Sequence, residues 1–168
     1  RGLGGARASC PAARERADLI ETRRVLITDH QVGHFSAQPT GAYEQVVIGR
    51  GGKHIPEADA LKHVAGYAVV NDISDRKFRP NPDRKMREKD SFFDWLHGKW
   101  HDSFCPMGPC IVSANAIPNP QKLAMKLSVN GKLFQDASTG QQIFPVAAVI
   151  EFISNICTLE PGDIISTG

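Results

Sequence analysis

From Gly66 to Arg76 the chain reads Gly-Tyr-Ala-Val-Val-Asn-Asp-Ile-Ser-Asp-Arg, an apolar, β-branched run that stops in a knot of polar side chains. A short run of this kind, bounded by glycine and polar residues, predicts a buried strand. Asn71, Asp72, Ser74, Asp75 and Arg76 then stand at or just beyond its C-terminal end. A carboxylate in that position is costly to desolvate unless a cation, a hydrogen-bond donor or a metal answers it. On this stretch alone two readings stand, a strand end that carries chemistry and a polar loop after a core strand.

The segments around it have distinct characters. Residues 1–24 are rich in Arg, Ala and Gly. Arg14 to Thr22 can form one short helix, while Glu15, Asp18 and Glu21 speak against a transit peptide. Val25 to Thr28 predicts a short strand, and 29–42 a loop whose His30 and His34 lack a helical surround. Residues 1–42 thus read as a leader, poorly ordered or partly helical, that packs poorly on the rest. Tyr43 to Arg50 is a strand, with Glu44 on the face of Val46 and Ile48 if the pleat is regular. Pro56 and Glu57 open a helix through Val64, with Ala58, Leu61 and Val64 as its apolar stripe.

Lys77 to Glu88 is charged and broken by prolines, a solvated loop or a lid whose arginines meet an anionic substrate. Asp90 is placed to cap a short helix from Ser91 to Leu96. Beyond Cys110 the pattern is β: a strand at Ile111-Val112 and a hairpin from Leu123 to Asp136 turning at Asn130-Gly131. Pro145 to Cys157 is an amphipathic helix with Ala147, Ile150, Ile153 and Cys157 on one stripe, and Asp163 to Ser166 is the last strand.

At 168 residues with 41% hydrophobic content the chain suits one globular domain. A net charge of +2 makes no case for nucleic acid or an anionic membrane, and no apolar run approaches the roughly 20 residues of a span. The cysteines form no CxxC pair, which favours free thiols in a reducing, cytoplasmic setting over a zinc site.

Glu44, Asp72 and Lys99 each sit at a separate strand end or loop. Two carboxylates suit a hard divalent ion such as Mg²⁺ or Ca²⁺, and a lysine beside them can face an oxyanion. Any globular chain offers many carboxylates, so the triplet alone is a weak signal.

Six motifs in order make the signal specific. They are Tyr-Glu…Val-Val-Ile-Gly at 43–49, Val-Ala-Gly-Tyr…Asn-Asp-Ile-Ser-Asp-Arg at 64–76, Gly-Lys…Asp-Ser-Phe-Cys-Pro-Met-Gly-Pro at 98–109, Val-Asn-Gly at 129–131, Gln-Asp-Ala-Ser-Thr at 135–139 and Leu-Glu-Pro-Gly-Asp-Ile-Ile-Ser-Thr-Gly at 159–168. With them, residues 43–168 resemble the C-terminal catalytic domain of the fumarylacetoacetate hydrolase superfamily. The resemblance implies an α+β, β-rich fold, a mixed β-roll with short peripheral helices, assembled as a homodimer. It also implies a divalent ion, Mg²⁺ or Mn²⁺, and the cleavage, decarboxylation or hydration of small 2-oxo and 1,3-diketo acids of the kind met in aromatic catabolism. Carried over by position, Asp72 matches a metal ligand, joined by Glu44. Lys99 matches the lysine facing the substrate, while Arg76 and Thr167 match substrate-binding groups.

Three departures bear on activity. The family pattern Glu-x-Glu-Leu-Ala-Val-Val-Ile-Gly has two carboxylates on one strand face, whereas Glu44-Gln45 runs straight into Val46. A one-residue change in a strand turns a side chain to the opposite face. The upstream His–Glu lid motif has no match in 1–42, and the sequence stops before the Thr-Pro of the last motif. With no Met at its start and a strand at its end, the chain reads as a fragment. Two expectations compete: a metal-dependent C–C hydrolase or decarboxylase (or a family hydratase or isomerase), and a catalytically impaired domain that keeps the fold and dimer surface.

Overall fold

A computed structural model describes residues 24–27 and 42–167. The expectations for the remainder of 1–42 lie outside the described residues. Strand β1 (Arg24–Ile27) comes from the leader and pairs in parallel with β7 (Asp163–Ser166). The sheet order is β1-β7-β2-β3-β4, with β2 at Ala42–Ile48, β3 at Val64–Asn71 and β4 at Met107–Ser113. All its other pairings are antiparallel, so the sheet is mixed. β5 (Ala124–Val129) and β6 (Lys132–Ser138) form a separate hairpin. The fold is α+β and rich in strand, and no described helix is long and apolar enough to cross a membrane.

The hairpin turns where expected. Asn130 and Gly131 hold φ of 51° and 78°, the left-handed pair that matches the twist of the flanking strands. Strand β2 lies between β3 and β7, and Gln45 to Ile48 are each no more than 1% exposed. One of its faces, with Val46 and Ile48, joins Tyr67 of β3 and Ile165 of β7 in the core. That core is closed by Val146, Val149, Ile150 and Ile153 of helix α3 (Val146–Ile156).

Two helix expectations are corrected. Helix α1 is a single turn, Glu57–Ala60, followed by a 3-10 turn at Leu61–His63. Ile55, Ala60 and Val64 are buried, while Ala58 and Leu61 are exposed. Val64 already belongs to β3, so the side-chain period changes to two before a helical stripe can develop. On α3 the buried set is Val146, Val149, Ile150, Ile153 and Ser154, with Ala147 and Cys157 only half-buried. Ser154 turns inward because its hydroxyl accepts from the Ile55 N–H at 2.9 Å and donates to the Glu151 carbonyl. Helix α2 (Asp90–His97) begins with Asp90 inside it, and the Asp90 carboxylate accepts from the Arg87 N–H at 2.8 Å.

A buried polar chain ties β6 to the start of α3. Thr139, wholly buried, donates to the Pro120 carbonyl at 2.6 Å and accepts from the Leu123 N–H at 2.9 Å. Gln121 donates to the Thr139 carbonyl and to Gln142 Oε1, and its own oxygen accepts from the first N–H of α3, on Val146. Thr139→Val keeps the shape but orphans two backbone groups, so we expect a loss of about 2 kcal/mol, read by urea denaturation. A loss below about 0.5 kcal/mol would show that water replaces the hydroxyl freely.

Candidate active site

The polar knot after β3 folds back at once. The Ile73 N–H reaches the Asn71 carbonyl at 3.0 Å, and the Asp75 N–H reaches the Gly98 carbonyl at 2.9 Å. The second contact docks the loop on the C-terminus of α2, where Gly98 is needed: a Cβ there would lie 2.4 Å from the Asp75 oxygen. The next residue, Lys99, is thereby carried to Asp72.

Lys99 Nζ forms an ion pair with Asp72 Oδ2, donates to Ser74 Oγ at 3.0 Å and lies 5.0 Å from the centre of the Trp95 ring. The Lys99 side chain is 8% exposed and that of Asp72 21%, so the pair is largely withdrawn from water and opens on one side. An ammonium in such a place acts on a nearby charge more strongly than one in water does. Cys105 feels the same corner. Burial first, and then the Asp72 charge, push its thiol up against the opposing pull of Lys99, so it stays protonated.

Glu44 is not part of this corner. The register pairs Tyr43 with Val70, Glu44 with Val69 and Ala42 with Asn71. Glu44 thus stands opposite Val69, three residues before Asp72, on the face of β2 that also carries Val46 and Ile48. There Glu44 is 3% exposed, and its carboxylate meets only the Gln142 side chain, short of full hydrogen-bond geometry, among the described residues. Burial lifts its carboxyl from the ordinary 4.5 to about 7, with the nearby Gln142 side chain offsetting only part of the cost. Tyr67, further along the same face, is pushed up to about 12 by its own burial and by the Glu44 charge.

Thr167 sits with Glu44. Its N–H and its hydroxyl both donate to the Glu44 carbonyl, at 3.1 and 2.9 Å, and the hydroxyl accepts from Gln142 Nε2 at 2.9 Å. Arg76 is exposed on the loop after Asp72, with no ion pair among the described residues. Of the five residues singled out from sequence, the structure joins Asp72 to Lys99, leaves Arg76 at the surface nearby, and places Glu44 and Thr167 together elsewhere.

The arginine-rich segment is held down. Arg84 pairs with Asp94 at 2.7 Å and with Asp90 at 3.4 Å, and Arg87 pairs with Asp90 at 3.0 Å. Those two arginines fasten the segment to α2, so they are engaged within the protein, which speaks against the lid reading of the two left open in sequence. Ser74 and Trp95 had no assigned role in sequence, although Ser74 stood in the polar knot and Trp95 four residues before Lys99. Gln142 gave no local signal at all.

The donor set of the described residues does not fit a hard divalent ion. Such an ion takes about six or more oxygens, several of them anionic. Asp72 brings one carboxylate, already matched by Lys99, and Glu44 stands opposite Val69. Among the described residues no three His, Cys, Asp or Glu side chains gather as metal ligands do.

The family model for the fumarylacetoacetate (FAA) hydrolase C-terminal region matches residues 45–168, a stretch that holds Asp72, Arg76, Lys99 and Thr167 but not Glu44. The chain is 41% identical over 122 residues to the mitochondrial oxaloacetate tautomerase fahd2 of Xenopus laevis, covering 73% of this chain and 36% of that protein. It is 42% identical over 123 residues to the 2,4-didehydro-3-deoxy-L-rhamnonate hydrolase of Sphingomonas sp. (strain SKA58), covering 73% and 40%. A fumarylpyruvate hydrolase from Pseudomonas aeruginosa, solved with Mn²⁺ and pyruvate, superposes with a TM-score of 0.66 at 31% identity, covering 86% of this chain and 58% of that one. The chain thus spans well under half the length of these curated relatives.

Proposed function

This chain belongs to the fumarylacetoacetate hydrolase family, and from that premise we propose that its Asp72–Ser74–Lys99 corner binds small 2-oxo or 1,3-diketo acids and stabilises their enolates. The observation that supports the reading is Lys99, a nearly buried ammonium aimed by Asp72 and Ser74. Those two acceptors take two of its three N–H donors among the described residues, and the remaining donor is assigned to the substrate oxyanion. C–C hydrolysis, decarboxylation and tautomerisation of a 2-oxo acid all generate an enol or enolate, so one lysine serves each. C–C cleavage of an acylpyruvate-like acid remains the reaction class proposed, with tautomerisation as the alternative and Arg76 as the group that draws in the carboxylate.

A specific observation favours a second, weaker grade of the same activity. Among the described residues the donors do not fit the ion that the fumarylpyruvate hydrolase structure holds. We therefore expect enolate formation without fast bond cleavage. The test is exchange of the pyruvate C3 protons for deuterium in D₂O with a chelator present, followed by NMR. The expected result is exchange above the buffer rate, with acylpyruvate cleavage below the order of 1 s⁻¹. Exchange no faster than buffer would sink the assignment of the corner.

A further inference from the structure

We infer that Lys99, and not a divalent ion, is the counter-charge of Asp72 in this chain, because the register of β2 holds Glu44 opposite Val69 and away from the Asp72–Lys99 corner. The inference deepens the site reading above and rests on it only for the location of the corner.

The register is fixed from several directions. Glu44 pairs with Val69 and Tyr43 with Val70 across an antiparallel ladder that ends at Asn71, so Tyr43, half-buried, stands one residue nearer than Glu44 to the turn that carries Asp72. Sliding β2 by one residue to bring Glu44 round would carry Val46 and Ile48 out of a core in which both are wholly buried. It would also break the ladders to β3 and to β7, which pair on either side of the strand. The Glu44 carbonyl is pinned as well, accepting from both the N–H and the hydroxyl of Thr167. Glu44 therefore cannot swing to Asp72 when an ion is offered. On the other side of the balance, Asp72 already has a cation within contact. The side chain of that cation, Lys99, is nearly buried, and losing Asp72 to an ion would leave the ammonium without its partner.

If the register is the cause, a carboxylate one residue nearer to Asp72 along β2 supplies a second donor. The experiment is a Mn²⁺ titration of the whole chain, read by the loss of the free-ion electron paramagnetic resonance signal and by the melting temperature. The proteins are wild type, Asp72→Asn and Tyr43→Glu, and no oxo acid is present. We expect the wild type to leave the free-ion signal unattenuated and its melting temperature unmoved. Tyr43→Glu tightens Mn²⁺ binding at least tenfold. Uptake by the wild type that Asp72→Asn abolishes would overturn the inference, as would a folded Tyr43→Glu with no gain. Uptake untouched by Asp72→Asn lies elsewhere and leaves the pairing of Asp72 as inferred. Should Tyr43→Glu fail to fold, the wild type and Asp72→Asn decide alone. Because the deuterium exchange above is run with a chelator and this titration without oxo acid, each can fail without the other.

Discussion

Replacing Glu44 by Gln is expected to make the protein progressively more stable than its parent as the pH rises, with a gain of about 3 kcal/mol by about pH 8. The Glu44 carboxyl ionises near 7 in the folded chain against 4.5 ordinarily, chiefly because burial disfavours the charge. Between those values the folded state keeps a proton that the unfolded state has lost, so stability falls as pH rises. The contribution is full below about 4.5 and is lost as pH climbs through about 7. The glutamine of Glu44→Gln carries no charge to desolvate, so that slope disappears. Urea denaturation at a series of pH values measures it. Parallel pH profiles for parent and variant would show that Glu44 finds water or a cation, and that its face of β2 is more open than described.

Lys99→Met is expected to lower the rate of pyruvate C3 exchange by about 10²–10³-fold, the usual cost of removing a group aimed at a developing oxyanion. The methionine fills much of the same space beside Trp95 but donates nothing. Asp72 loses its cation, yet its side chain retains 21% exposure and can recruit water. The accompanying loss of stability is therefore modest, about 1–3 kcal/mol. Lys99→Arg separates the two effects, since a planar guanidinium keeps the charge but not the point-like geometry. It should recover most of the stability and little of the rate. An unchanged exchange rate in Lys99→Met would remove the lysine from the chemistry.

What could be read from sequence was what local chemistry fixes. The run ending at Asn71 and the Asn130-Gly131 turn were legible because period two and a left-handed dipeptide are local facts. The meeting of Lys99 with Asp72 was not local, and it came from the order of motifs along the chain. Glu44 shows both sides of the matter. The one-residue shortfall before Val46 announced a change of face, but only the ladder to Val69 and the bonds from Thr167 say where that face leads. The chain from Thr139 and Gln121 through Gln142 to Thr167 left no mark in sequence. Side-chain hydrogen bonds between distant segments have no period to detect. Arg84 and Arg87 left two readings open for a related reason: a charge run looks alike whether its partner is a substrate or Asp90 and Asp94.

The most direct test of whether the functional corner lies at Lys99 rather than on the Glu44 face uses oxalate, a stable mimic of a 2-oxo acid enolate, in chelator-containing buffer. A ligand bound to the native state raises the melting temperature, its stabilisation growing as RT ln(1 + L/Kd), where L is the free ligand concentration. One thermal titration across wild type, Glu44→Gln and Lys99→Met reads it. The account predicts that oxalate stabilises wild type and Glu44→Gln alike and leaves Lys99→Met unmoved. Stabilisation that survives Lys99→Met and disappears in Glu44→Gln would contradict it.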